Sequence, residues 1–213
     1  LHLLSRRQRQ MCIRDSISDL HIGKYVNGYR MLDDQRYMLE RIVEIIKEKN
    51  PDALLIAGDI YDKSLPSAEA VELFDSFMTK IAGLHGKTGL KTFVISGNHD
   101  SPERIGYFNK LIELNGIFTD GVFEGVARKN TVECDGEKVN IFSLPFIRPS
   151  FVRKVYPEES AKITDYTTAV REFLQDLIFR LKARRKSHIF CCDIQFLNIL
   201  SANRNRQYFC FCP

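Results

Sequence analysis

The sequence predicts an α/β sandwich of β-α-β units around a mainly parallel sheet, with an added antiparallel layer and truncation on the C-terminal side. Two observations carry this. From Ile17 to about Arg180, short apolar runs alternate with segments of helical period, which is how strands joined by crossover helices read. After residue 130 the period shortens to that of a hairpin, so a second, antiparallel layer is expected.

Ser16 to Leu20 ends the first expected strand. Asp33 to Lys49 is the first helix, with Met38, Leu39, Ile42, Val43 and Ile46 at helical spacing and Asn50-Pro51 as its stop. Ala53 to Ala57 (ALLIA) reads as a short buried strand. The helix after it is expected to start near Pro66, whose fixed φ suits a first turn, and to bury Val71, Phe74, Met78 and Ile81. Thr92 to Ile95 (TFVI) is the third strand. Ser101 then caps, and Pro102 begins, a helix expected to run to Leu114 before Asn115-Gly116. Thr131 to Cys134 and Lys138 to Leu144, joined by Asp135-Gly136, read as a hairpin with a tight primed turn. Thr164 to Lys182 is amphipathic again, with Val170, Phe173, Leu174, Leu177 and Ile178 on one face.

With 213 residues and 44% hydrophobic content, the chain can bury the core of one ordinary domain. No apolar stretch approaches the roughly 20 residues that cross a bilayer, and the first residues lack the apolar core of a signal peptide. A cytoplasmic protein without membrane association is the expectation. The net charge of +4 sits at the ends: residues 1–16 carry +3, residues 180–213 carry +6, and the body between them carries −5. Affinity for DNA must therefore come from a local basic path, from bound metal ions or from a partner. Four of the six cysteines (Cys191, Cys192, Cys210 and Cys212) fall in the last 23 residues with no zinc-type spacing, and read as thiols of a reducing compartment.

Three motifs fall at the carboxyl ends of the three expected strands: Asp19-Leu20-His21, Gly58-Asp59-Ile60-Tyr61-Asp62 and Gly97-Asn98-His99-Asp100. In an open α/β sheet the ligand crevice lies beyond those ends, so residues about 40 positions apart converge there. Asp, His and Asn offer oxygen and nitrogen ligands that suit divalent Mn, Fe or Zn. Two such ions about 3.5–4 Å apart need a bridging carboxylate, and Asp59, on the central motif, is the natural bridge. Alternation along a strand end brings Asp19 and His21 to one face and one ion, while Asn98 offers its carbonyl to the second. His99 is placed to give a proton or hydrogen bond to the phosphate or leaving oxygen, with Asp62 to fix its tautomer. Singly, Asp59 and Asp62 also fit helix caps, Asn98 a turn and His21 a satisfied loop histidine. Jointly, three such motifs at three strand ends point to a metal site. Tyr61, Arg104 and Arg148 are candidate DNA contacts against ordinary packing or solvation.

In this order, D-x-H, G-D-x-x-D and G-N-H-D resemble the first three motifs of the calcineurin-like metallophosphoesterases. Within that superfamily, ISDLHIGK (Ile17 to Lys24), AGDIYDKSLPS (Ala57 to Ser67), ISGNHDSPER (Ile95 to Arg104) and LPFIRP (Leu144 to Pro149) are similar to SbcD-type nuclease subunits, a likeness that reaches about Phe179. The resemblance implies a manganese-dependent phosphodiesterase with two metal ions. It would cut DNA as a 3'-5' double-strand exonuclease and a single-strand or hairpin endonuclease in recombination, replication and repair. It implies an SbcC ATPase partner and a homodimer of nuclease subunits. By the same likeness Asp19, His21, Asp59 and Asn98 are metal ligands and His99 is the catalytic acid.

The family draws three further metal-binding histidines from later motifs, two of them in a G-H-x-H that this sequence lacks. His188, in KSHIFC, is the one downstream histidine. Residues 1–16 are expected to be a non-native leader, because Arg6 to Ser16 lacks strand character. Residues 17–180 form the incomplete nuclease domain. Residues 181–213, where periodicity is lost, read as an aberrant tail, with the family's DNA-recognition cap absent. Two other readings stay open: a phosphoesterase of the same fold acting on a small nucleotide or a phosphoprotein, and a catalytically silent fragment that binds a partner.

Overall fold

A computed structural model of the chain describes residues 14–134, 137–181 and 188–192. The first strand, β1 (Arg14–Ile17), leads into a two-stranded hairpin, β2 (Tyr25–Val26) and β3 (Tyr29–Arg30), and then helix α1 (Leu32–Lys49). Next come β4 (Ala53–Ala57), α2 (Ala68–Thr88) and β5 (Lys91–Ile95). Two short helices, α3 (Pro102–Ile105) and α4 (Asn109–Ile112), precede β6 (Ile117–Asp120). The chain then forms β7 (Arg128–Cys134), β8 (Glu137–Leu144), α5 (Pro149–Val155), α6 (Tyr166–Leu181) and β9 (His188–Cys192).

Strands β1, β4, β5 and β6 form a parallel sheet in the order β1-β4-β5-β6, as β-α-β crossovers require. The second sheet, β7-β8-β9, is antiparallel between β7 and β8 and parallel between β8 and β9. Alternation along the strands builds the layers. Leu54, Ile56 and Val94 point into a core with α1 and α2, whereas Ala53, Leu55, Phe93 and Ile95 meet Val132, Val139 and Ile141 of the second sheet. On that sheet's far side, Phe142 and Leu144 pack with Val152, Val170 and Phe173 of α5 and α6. The result is a helix-sheet-sheet-helix sandwich. Each fully buried leucine, isoleucine or phenylalanine contributes about 1.5–3 kcal/mol, and the two-sided burial of β4 explains why ALLIA is apolar throughout.

Several expectations change in the folded chain. Arg14, Asp15 and Ser16 pair with Ala53, Leu54 and Leu55, so the last residues of the expected leader complete the first strand. Parallel pairing uses backbone groups and accepts a polar edge strand. Helix α2 starts at Ala68, two residues past Pro66, and the side chain of Ser67 caps it by accepting from Ala70 N. The buried stripe of α2 is Ala70, Leu73, Phe77, Ile81 and Leu84, while Val71 stays 42% exposed. Two apolar stripes run side by side on this helix, and docking on the sheet chose the other one, leaving Phe74 and Met78 at its margin.

The helix expected to run to Leu114 is broken. Phe108 takes a left-handed φ of 56° between α3 and α4, and a 3₁₀ turn covers Glu113–Asn115. Ser101 occupies the N-cap position of α3 without a side-chain cap bond. Close packing holds the first piece, since a Cβ at Gly121 would lie 1.9 Å from the Pro102 carbonyl oxygen. Strand β9 lies inside the stretch that lacked periodicity; five residues are too few for a strand to declare itself by period. The Asp135-Gly136 turn, residues 1–13 and residues 193–213 lie outside the described residues, as do the side chains of Leu174, Leu177, Ile178 and His188.

Candidate metal centre

The three motifs meet at the carboxyl end of the parallel sheet because β1, β4 and β5 are adjacent and run the same way. Backbone bonds join the first two loops: Asp19 N donates to Gly58 O (3.2 Å), His21 N to Asp59 O (2.9 Å), Ile22 N to Ile60 O (2.9 Å) and Asp62 N to Ile22 O (3.2 Å). Asp19, His21 and Asp59 all adopt left-handed backbone, with φ of 54°, 41° and 49°. Such conformations cost about 1–2 kcal/mol each for non-glycine residues and are typical of functional sites whose surroundings over-determine them. The loops also touch without side chains between them. A Cβ on Gly97 would fall 2.2 Å from both the backbone nitrogen and Oδ1 of Asp59.

His21 stands at the centre. Its Nε2 lies 3.9 Å from Asp19 Oδ1 and 4.0 Å from Asp59 Oδ2. These separations are too long for hydrogen bonds, yet ligand atoms that share an ion at 2.0–2.2 Å sit roughly 3–4 Å apart. On the ring's other side Nδ1 is buried without a hydrogen-bond partner among the described residues, 3.8 Å from Asp62 Oδ1. The donor set and its spacing therefore fit a divalent cation.

His99 meets the His21 ring edge-on at 4.8 Å between centroids. Its backbone N–H donates to Asp59 Oδ1 at 3.0 Å, which leaves Oδ2 turned toward His21. Its Nδ1 bonds the Asp62 backbone carbonyl at 2.9 Å. A carbonyl only accepts, so Nδ1 carries a proton. That bond runs through the main chain of Asp62 and sets the tautomer of the neutral ring. That carbonyl is also the chief reason the His99 pKa is raised, reinforced by Asp59, Asp62 and Asp100. Asn98 sits half-buried beside it in the loop after β5.

Two residues with no role in the sequence reading organise this centre. Asp100 is buried and accepts from Ile60 N (3.1 Å), Tyr61 N (2.9 Å) and Gly97 N (2.9 Å), tying the second and third motifs together. Burial pushes its carboxyl pKa up while these bonds hold it down. Gln35 reaches from α1 to the first motif, bonding Leu20 O, His21 O and Gly23 N. The available signal for Gln35 was its place on the apolar stripe of α1, between Leu32 and Leu39. Of the candidate DNA contacts, Tyr61 packs edge-on against Phe74 at 5.7 Å, and burial, with Asp100 and Asp75 nearby, pushes its pKa up to about 12. Arg104 and Arg148 are exposed.

The family model for calcineurin-like phosphoesterases matches residues 16–193. The SbcD subunit of the SbcCD nuclease of Staphylococcus epidermidis (strain ATCC 12228 / FDA PCI 1200) is 34% identical over 160 residues, which is 75% of this chain. The chain spans 40% of the length of that relative. Among the described residues, no helix is long and apolar enough to cross a membrane.

Proposed function

The chain belongs to the calcineurin-like phosphoesterase family, and we propose that it is the N-terminal part of an SbcD-type DNA nuclease subunit that uses two manganese ions. The observation that carries this is His21 Nε2 held about equally far, 3.9 and 4.0 Å, from the carboxylates of Asp19 and Asp59. Asp19, His21 and Asp59 would hold one ion, and Asp59 with Asn98 would hold the other; such ions would supply an acidified water and neutralise charge on the phosphoryl oxygens.

The chain's own groups do the rest. With Nδ1 committed to the Asp62 carbonyl, His99 presents Nε2 to the substrate. The raised pKa favours the protonated ring, which suits a donor to the departing sugar oxygen. Asp62 steadies His99 through its carbonyl.

The exposed hairpin of β2 and β3 supports DNA as substrate. It begins four residues after His21 and offers Lys24, Tyr25, Tyr29 and Arg30, cationic and aromatic groups of the kind that hold strand ends. Tyr107, Phe108, Leu111 and Leu114, between 60% and 79% exposed on and around α3 and α4, form an apolar face suited to pairing with a second nuclease chain. An SbcC-type ATPase partner and a cytoplasmic setting complete this reading; the Staphylococcus epidermidis relative is by name one subunit of an SbcCD nuclease. Four proposed ligands among the described residues, against the seven that the resemblance implies, would leave metal binding weak and unaided turnover low.

The test is manganese-dependent cleavage of an end-labelled duplex and a hairpin by this chain and by His99→Ala, with an SbcC-type ATPase absent and present, beside a chromogenic phosphodiester. Cleavage of DNA that His99→Ala abolishes supports the nuclease reading. Turnover of the small phosphodiester with DNA untouched would favour a small-nucleotide enzyme. Inactivity together with failure to bind Mn²⁺ would favour a silent, partner-binding fragment.

A further inference from the structure

We propose that Gln35, which lies outside the three motifs, is a positioning residue of the metal centre. Its carboxamide locks the Asp19–His21 loop in the one backbone conformation that aims His21 at Asp19 and Asp59. The inference rests on the phosphoesterase reading above.

Gln35 lies in the first turn of α1 and is buried in a slot whose neighbours along the helix, Leu32, Leu39, Val43 and Ile46, are all apolar. A polar side chain there is tolerated only if its hydrogen bonds are made, and all of them are made to one loop. Nε2 donates to Leu20 O at 3.1 Å and to His21 O at 2.7 Å, using both protons. Oε1 accepts from Gly23 N at 2.9 Å. The carboxamide spans the loop from Leu20 to Gly23 and leaves no polar atom idle.

The loop needs such a brace. Asp19 and His21 both hold positive φ, a region that L-residues keep only under constraint. The motif after β4 secures the N–H side, through Asp19 N to Gly58 O and His21 N to Asp59 O. Gln35 secures the carbonyl side. Without it, the Leu20 carbonyl and the Gly23 N–H lose their partners and the His21 carbonyl keeps only the Lys24 N–H at 3.1 Å, and rotation of the His21 peptide toward ordinary φ would swing Nε2 away from both carboxylates. Glutamate at this position would set carboxylate oxygens against the Leu20 and His21 carbonyls, keeping only the bond from Gly23.

The experiment compares the full chain with Gln35→Met, which keeps the volume and loses all three bonds, and with Gln35→Glu, which keeps one. Mn²⁺ titration followed by electron paramagnetic resonance, at a temperature where circular dichroism shows each protein folded, reads the affinity. Outer-shell groups of metal sites are worth about 10–100-fold in affinity, so both variants are expected to bind Mn²⁺ at least about 10-fold more weakly. Amide exchange at Gly23 should accelerate while β4 and β5 keep their protection. A purely structural role would lower the melting temperature yet leave affinity in the folded state within about twofold of the parent, and that result would overturn the inference. If Gln35→Met does not fold, Gln35→Glu carries the comparison. A parent chain that binds no Mn²⁺ would sink the phosphoesterase reading instead; unchanged Gly23 exchange in the variants would then refute the brace on its own.

Discussion

Asp100 Oδ1 accepts the backbone N–H of Tyr61 at 2.9 Å, across 39 residues of sequence. With Oδ2 taking Ile60 N and Gly97 N, one carboxylate closes the loop after β4 onto the loop after β5, and Asp59 and His99 are held between them. Asp100→Ala should therefore orphan three N–H groups at once. At about 1–3 kcal/mol for each unsatisfied buried donor, the loss is expected to be roughly 3–9 kcal/mol in urea unfolding at neutral pH. A loss below about 1 kcal/mol would show that water replaces the clamp.

Glycines separate the packed site from open helix. Gly97→Ala drives a Cβ to 2.2 Å from Asp59, and overpacking of this kind costs about 1–3 kcal/mol; the shift of Asp59 should also weaken Mn²⁺ binding. Gly83→Ala, in the interior of α2 with nothing within 4 Å of the added methyl, is expected to stabilise by about 0.5–1 kcal/mol. Parallel denaturation curves check the pair, and equal effects at the two positions would contradict the packing described.

Tyr61 predicts an alkaline signature. Its pKa rises from 10.0 to about 12, chiefly by burial. An acid whose pKa is higher in the folded state loses stability as pH rises, because the unfolded chain gives up its proton first. The parent should lose stability relative to Tyr61→Phe between about pH 10 and 12, by less than the roughly 2.7 kcal/mol that two pKa units represent, since the ring is partly exposed. Ultraviolet titration of the phenolate in both proteins checks it; a phenolate forming near 10 would refute the burial effect.

The apolar face around α3 and α4 predicts self-association. Leu111→Asp, at a side chain 60% exposed, should leave folding within about 0.5 kcal/mol and shift the chain toward monomer in sedimentation equilibrium. A parent chain that is monomeric at high concentration would remove the support this face lends to pairing.

Sequence alone determined the layers and where the three motifs meet. ALLIA declared β4 by its two-sided burial, Asn50-Pro51 marked the end of α1, and the meeting of the loops that carry Asp19, His21, Asp59, Asn98 and His99 was legible because strand ends converge whenever the strands are parallel neighbours. Residue type and spacing carry that much. Tertiary structure decided what spacing does not encode: which stripe of α2 faces the sheet, where the segment after Pro102 breaks, and that β9 closes the second sheet. It also decided that His99 leans on the Asp62 carbonyl, that Asp100 closes two loops, and that Gln35 braces a third. These depend on left-handed backbone at Asp19, His21 and Asp59, a conformation the residues do not prefer in isolation and hold only because loops distant in sequence supply the hydrogen bonds that offset its cost.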